Sequence, residues 1–307
     1  MKRLREAAAL YCAIACALLC VAAKPKKQEF KPVRPTGIRD STPEVRKAEP
    51  IERPVDGPPE NISKIAPKTR AAAVMVIDAR TGEILYEKNA DTQRPPASTQ
   101  KLLTALIVAE RGFLDQEVVV QPVDTWAEPV KLNIKAGESY RRIDLLRALL
   151  VKSPNDVARC LARDSAGSVE AFSDLMNQKA RELGAVHSNF VNPNGLPMPG
   201  QYSSARDLAI IAKAAYANST IRSIVCLPSI VFRYSSGRTR VLENTNKVLK
   251  RLAYCNGMKT GYTEAAGFCL IASGARPGRD VIVVVLGASK SGVSRDASAL
   301  LSWGLWM

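Results

Sequence analysis

Three short groups of residues in this chain have the types and spacing for acyl-transfer chemistry. Ser98 and Lys101 stand at the start of an apolar run with helical spacing (Leu102, Leu103, Leu106, Ile107, Ala109) that ends at Gly112. An interval of three residues puts the hydroxyl and the amine on one face of one turn. Two readings are open for the pair. One is a capping serine with a solvated lysine; the other is a nucleophile held against an amine at the positive end of a helix. Lysine is the wrong charge for a helix N-terminus, and that invites a reason beyond capping. Ser153-Pro154-Asn155 and Lys259-Thr260-Gly261 follow in that order. Each triplet by itself is common.

The elements that must position these groups can be read coarsely. Residues 71–78 form an apolar strand, 79–82 a turn, and 83–87 an alternating return strand, so a hairpin leads into the Ser98 helix. Short strands are expected at 117–120 and 130–134. Residues 143–151 are helical, and Pro154 should stop or kink that helix at Ser153. Helical patterns resume at 157–166, after Ser168, and at 204–217, with an Asn192-Pro193-Asn194-Gly195 turn between the last two. Signals are weak over 221–250. Strands are expected around 268–272 and 281–286, with a terminal helix over 296–303. Two strands, a helical middle, further strands and a helix make an α+β protein. Its expected core is an antiparallel sheet of about five strands with a largely helical subdomain.

Bulk properties narrow the class. The chain has 307 residues, 46% hydrophobic, with a formal charge of +15. That charge permits attraction to a polyanion, but no zinc-finger spacing or aromatic-basic interleaving supports nucleic acid as a partner. Residues 1–23 read as a signal peptide, or an uncleaved anchor: a basic start, then an apolar run too short for a full membrane span. Residues 24–70 are rich in proline and basic residues and read as a disordered linker with possible peripheral contact to a membrane or cell wall. The folded domain is expected over 71–307. Cys160 and Cys269 fall in apolar helix and strand patterns and read as buried thiols, and the cysteine spacing suggests no metal site. His187 is the only histidine, which argues against a zinc peptidase and leaves a Ser-His-Asp triad with nothing to orient it. Lys152 reads as a solvated neighbour of Ser153, and Asp207 as a residue ordering a loop or helix start.

Taken together and in order, Ser98-x-x-Lys101, Ser153-x-Asn155 and Lys259-Thr260-Gly261 match the signature set of penicillin-binding proteins and serine beta-lactamases. The runs 81–86, 96–101, 190–196, 202–207, 259–263 and 301–305 extend the likeness. The chain resembles the low-molecular-mass penicillin-binding proteins, serine D-alanyl-D-alanine carboxypeptidases, over residues 71–307. The resemblance implies a beta-lactamase/transpeptidase-like fold, a peptidoglycan stem peptide as substrate, beta-lactams as covalent inhibitors, no cofactor and no metal. It implies Ser98 as nucleophile, Lys101 as base, Ser153 as proton relay, Asn155 as an orienting amide and Lys259 as the nearby cation. Thr260, Gly261, Tyr262 and Arg295 become substrate-binding residues. The N–H groups of Ser98 and Tyr262 form the oxyanion hole, and Arg295 with Thr260 clamps a terminal carboxylate. Pro154 departs from the small residue often found there, yet the spacing of Ser153 and Asn155 is kept.

Larger relatives carry a further β-rich domain and an amphipathic helix, for which no sequence remains after the catalytic region. The short form also resembles D-alanyl-D-alanine endopeptidases that act on cross-links. A beta-lactamase is disfavoured by the absence of a Glu-x-x-Leu-Asn run after Ser153, and a silent peptidoglycan-binding protein by the presence of the full set. The expected location is the periplasm or cell envelope.

Overall fold

The computed structural model describes residues 63–307. The expected signal segment and the linker as far as residue 62 lie outside the described residues. The remainder of the linker, 63–70, is joined to the folded unit. The Trp303 indole N–H donates to the Ser63 carbonyl at 3.1 Å, the Thr69 hydroxyl to the Asp296 carboxylate at 2.7 Å, and Lys88 Nζ to the Thr69 carbonyl at 3.1 Å. The folded unit therefore starts ahead of Ala71. Polar groups of the last helix and of an edge strand satisfy a segment whose composition alone suggested a tether.

In chain order the strands are β1 (Ala73–Asp78), β2 (Ile84–Lys88), β3 (Glu117–Val119), β4 (Ser139–Arg141), β5 (Ser229–Arg233), β6 (Thr239–Glu243), β7 (Cys255–Thr263), β8 (Gly267–Arg276) and β9 (Arg279–Ala288). The α-helices are α1 (Lys101–Arg111), α2 (Arg142–Lys152), α3 (Asn155–Ala166), α4 (Val169–Leu183), α5 (Ala205–Ala217), α6 (Ser219–Val225) and α7 (Gly292–Trp306). A five-stranded antiparallel sheet runs in the order β2-β1-β9-β8-β7. The pairs β3–β4 and β5–β6 form two small separate sheets.

Both faces of the central sheet are covered, which explains why β1 is buried at every position rather than at alternate ones. Met75, Ile77, Ile282 and Val284 face the helical block, whereas Val74, Val76, Val281 and Val283 face α7. The period of two thus divides one apolar strand between two cores. β7, the sheet edge carrying Lys259-Thr260-Gly261, borders the helical block.

Two expectations change. Residues 130–134 are not a strand. The buried Asp156 carboxylate accepts the N–H groups of Leu132 (2.9 Å), Asn133 (2.7 Å) and Ile134 (3.3 Å), so a side chain replaces the strand partner. The weak stretch 221–250 contains α6 and the β5–β6 hairpin, whose outward Val231 and Val241 are exposed and blur any alternation. Among the described residues, no helix is long and apolar enough to cross a membrane.

Candidate active site

Ser98 lies in a 3-10 turn, Ala97–Gln100, immediately ahead of α1, and Lys101 is the first residue of that helix. Ser98 is therefore not the cap of α1. A 3-10 turn has three residues per turn and eclipses positions i and i+3, so it aligns the two side chains more closely than an α-turn does. Lys101 Nζ stands 2.8 Å from Ser98 Oγ, 2.8 Å from Asn155 Oδ1 and 2.7 Å from the Asn194 carbonyl. The side chain is fully buried.

Asn155 opens α3 one residue after Pro154. The proline is held in extended backbone and cannot continue α2. The Asn155 amide nitrogen donates to the Glu128 and Pro129 carbonyls, both at 3.0 Å, which turns Oδ1 toward Lys101. Ser153 ends α2 in left-handed backbone, φ 69°. Its N–H donates to the Ala148 and Leu149 carbonyls, while its buried hydroxyl has no hydrogen-bond partner among the described residues and belongs to the cavity lining.

Lys259 projects inward from β7, is 1% exposed, and donates to the Thr260 carbonyl at 2.9 Å. Burial pushes its pKa down to about 7. Lys101 is held well below the ordinary lysine value, first by burial and then by the charge of Lys259, with Asp156 opposing. A buried ammonium is poorly solvated, and a second cation nearby disfavours it further. These are the conditions that make a lysine a base.

Lys101 Nζ has three partners, and each of them can accept from it. Asn155 Oδ1 and the Asn194 carbonyl can only accept, whereas the Ser98 hydroxyl can also donate. A neutral amine that donates to the first two offers its lone pair to the Ser98 proton. The arrangement holds a hydroxyl against an amine, with two acceptors that fix the direction of the amine.

Close approach between elements sets these distances. The Asn194 carbonyl is presented by the 192–195 turn, where Asn192 Oδ1 accepts the Gly195 N–H at 2.8 Å. Gly195 has φ 86°, and a Cβ there would sit 1.9 Å from the Ala97 carbonyl oxygen. A Cβ on Gly261 would lie 2.8 Å from the Ser98 nitrogen. Glycine at both positions lets the turn and β7 close on Ser98 from two sides.

A cavity of about 350 Å³ opens over Ser98. Ser153, Asn155, Thr260, Gly261 and Tyr262 line it together with Thr245, whose hydroxyl oxygen accepts from the Thr260 hydroxyl at 2.6 Å. Tyr262 is 57% exposed at the mouth and stacks on Phe268 with ring centroids 4.3 Å apart. Arg295 is not among the lining residues. Its side chain is 66% exposed and its guanidinium bonds the Asp296 carboxylate at 3.2 Å at the start of α7, so the expected clamp is engaged by a neighbouring side chain outside the cavity lining. Lys290 lines the cavity on that side instead.

His187 lies 4.0 Å from both Asp91 and Asp207, outside the residues lining this cavity. Asp207 donates its N–H to the Ser204 hydroxyl at the start of α5. Cys160 and Cys269 are buried, and burial raises both thiol pKa values.

Sequence reasoning missed Asn194 and Thr245 as site residues. The Asn-Pro-Asn-Gly turn was visible, but a main-chain carbonyl carries no residue signature. Thr245 falls in the stretch 221–250, where the sequence signals are weak.

The family described as D-alanyl-D-alanine carboxypeptidase, Peptidase_S11, matches residues 60–290. The chain is 34% identical over 224 residues to the D-alanyl-D-alanine carboxypeptidase DacF of Bacillus subtilis, covering 71% of this chain and 58% of that protein. It is 35% identical over 244 residues to DacB2 of Mycobacterium tuberculosis, covering 78% and 83%. The D-alanyl-D-alanine endopeptidase of Escherichia coli is 31% identical over 257 residues, covering 80% and 83%. The crystal structure of a D-alanyl-D-alanine carboxypeptidase from Mycobacterium tuberculosis H37Rv superposes with a TM-score of 0.74 at 34% identity, covering 81% of this chain and 96% of that one. The fold is that of the DD-peptidases, as the resemblance implied.

Proposed function

This chain belongs to the Peptidase_S11 family, and we propose that it is a serine D-Ala-D-Ala carboxypeptidase that trims the terminal D-alanine from peptidoglycan stem peptides. The observation that carries the reading is the buried Lys101 amine, 2.8 Å from Ser98 Oγ and aimed by Asn155 and the Asn194 carbonyl. Ser98 Oγ attacks the carbonyl carbon of the penultimate D-alanine while its proton passes to Lys101. The oxyanion is met by the N–H groups of Ser98 and Tyr262, each contributing about 3 kcal/mol. The C–N bond then breaks. The leaving amine takes a proton relayed through Ser153, whose hydroxyl has no competing partner. D-alanine departs and an ester remains on Ser98. A water gives its proton to Lys101 and attacks that ester; the carbonyl C–Oγ bond breaks, Lys101 returns the proton to Ser98 Oγ, and the shortened peptide leaves with a new carboxyl terminus.

Lys259 supplies the second cation that keeps Lys101 neutral, and the Thr260 hydroxyl faces the terminal carboxylate. Beta-lactams enter the first half of the same sequence and leave a covalent adduct on Ser98. The reaction uses no cofactor. Its substrate places the enzyme in the cell envelope, on the far side of the export step expected for residues 1–23.

Cleavage of cross-links is the second reading, supported by the likeness to the Escherichia coli endopeptidase over 80% of this chain. It uses the same acyl-enzyme and differs only in the leaving amine. Digestion of purified wall fragments separates the two. Release of D-alanine from pentapeptide monomers supports the carboxypeptidase, and conversion of dimers to monomers the endopeptidase. Ser98→Ala should abolish either product and the penicillin adduct. Failure of the unaltered protein to form product or adduct rejects both.

A further inference from the structure

The cavity over Ser98 has an unbalanced charge. Its lining includes Lys152, Lys247 and Lys290 and no aspartate or glutamate. None of the three forms an ion pair among the described residues, although cations nearby do. Lys250 pairs with Glu243 at 3.0 Å, and Arg295 with Asp296 at 3.2 Å. Unpaired cations confined to one concave surface focus a positive potential there and favour anionic ligands.

The three are not equivalent in place. Lys247 follows Thr245 by two residues, and Thr245 accepts from the Thr260 hydroxyl; Lys290 lies in the turn between β9 and α7. Lys152 is the last residue of α2, next to Ser153, on the helical side. With Arg295 directed to Asp296, the wall holds no guanidinium. Lysine ammonium groups act as point charges and do not impose the two-point geometry of an arginine fork.

We propose that the cavity selects substrates carrying two carboxylates: the terminal one, held by Lys247 and Lys290 beside Thr260, and a second on the acyl side of the scissile bond, met by Lys152. The inference rests on the Ser98 acyl-transfer reading and adds the charge of the substrate to it. It makes Lys152 a specificity residue rather than a solvated neighbour of Ser153.

The test uses the full chain and two isosteric peptides, acetyl-Glu-D-Ala-D-Ala and acetyl-Gln-D-Ala-D-Ala. At low salt the glutamate peptide should be favoured about three- to five-fold, through KM and not kcat. The preference should fade as ionic strength rises from ~50 to ~500 mM, because partly exposed charges are screened. Lys152→Gln should bring the ratio to one, and Lys152→Arg should restore it. Lys247→Gln and Lys290→Gln should raise KM for both peptides and leave the ratio in place. A ratio of one in the unaltered protein at low salt, or a preference that survives Lys152→Gln, overturns the proposal while leaving the acyl-transfer reading intact.

A parallel comparison avoids dependence on the leaving amine. Acylation of Ser98 by carbenicillin, which bears a side-chain carboxylate, should gain over benzylpenicillin at low salt and lose that gain in Lys152→Gln. Equal Lys152 dependence for the two drugs overturns the proposal even where neither peptide is cleaved. Absence of any adduct at Ser98 removes the acyl-transfer reading and this inference with it.

Discussion

The proposed chemistry turns on one nitrogen atom. Lys101 Nζ has three neighbours within 2.8 Å, and only the Ser98 hydroxyl can give it a proton. Burial and Lys259 lower its pKa, and Asp156 raises it. A base of this kind must lose its proton before Ser98 is activated, so the acylation rate should fall on the acid side as Lys101 becomes protonated. Asp156→Asn removes the influence that raises the Lys101 pKa, and the acid limb should move to lower pH. The check is the rate of benzylpenicillin adduct formation against pH for the two proteins. A limb that stays in place or moves upward removes Lys101 from the role of base. The closeness of Ser98 to Lys101 was legible because three residues along one turn bring their side chains together. Asn194 was not, because its contribution is a carbonyl whose direction depends on a turn packed against α1.

At the scale of elements, the site is made at element ends. The junction between α2 and α3 is the clearest case. Pro154 forces a break, Ser153 takes the left-handed backbone needed to end α2, and Asn155 starts α3 facing Lys101. A non-glycine residue with φ 69° carries strain of roughly 1 kcal/mol. Ser153→Gly should therefore melt within a few degrees of the unaltered protein, whereas Ser153→Val, β-branched at positive φ, should lose about 2 kcal/mol. Both should acylate slowly if the Ser153 hydroxyl is the relay proposed above. Thermal unfolding combined with adduct formation separates the strain from the chemistry. The Ser-Pro-Asn order made the break readable in advance. The hydrogen bonds that aim Asn155 were not readable, since Glu128 and Pro129 contribute main-chain carbonyls just ahead of a segment, 130–134, that read as a strand. Asp156 reorganises that segment by taking three of its N–H groups, and this acceptor lies more than twenty residues away in the chain.

At the scale of the whole molecule, the sheet and the helical block meet along β7, and the meeting buries two lysines. Unfolded lysine is protonated below about 10.4. Folded Lys259 takes up its proton only below about 7. Between those values the unfolded state binds more protons, so this group lowers stability progressively as pH falls from about 10 toward 7, and its effect is level below that. Lys259→Met, similar in length and uncharged, should be more stable than the unaltered protein by ~1–3 kcal/mol at neutral pH, or about 2–4 °C for each kcal/mol. The gap should narrow toward pH 10, and penicillin acylation should be lost. Melting curves at the two pH values test the sign: a variant that is less stable at neutral pH contradicts the cost assigned to the buried charge.

The chain by itself determined the three motif groups, the α+β class, the order of most elements and the breaks between helices. Those properties depend on spacing within one helix, strand or turn, where backbone geometry fixes which side chains share a face. Tertiary structure decided which groups surround the Lys101 nitrogen, that both lysines are buried deeply enough for their pKa values to fall, that Arg295 bonds Asp296, and that residues 63–70 belong to the folded unit. Each of these joins residues far apart in the chain, as with Lys101 and Asn194 across 93 positions or Thr69 and Asp296 across 227. Solvent exclusion and charge proximity arise only when such segments pack, and no local spacing encodes them. Ser98 was visible from the beginning as a hydroxyl beside an amine. It became a candidate nucleophile when the fold closed a glycine turn and a strand edge around the pair and left the amine no water.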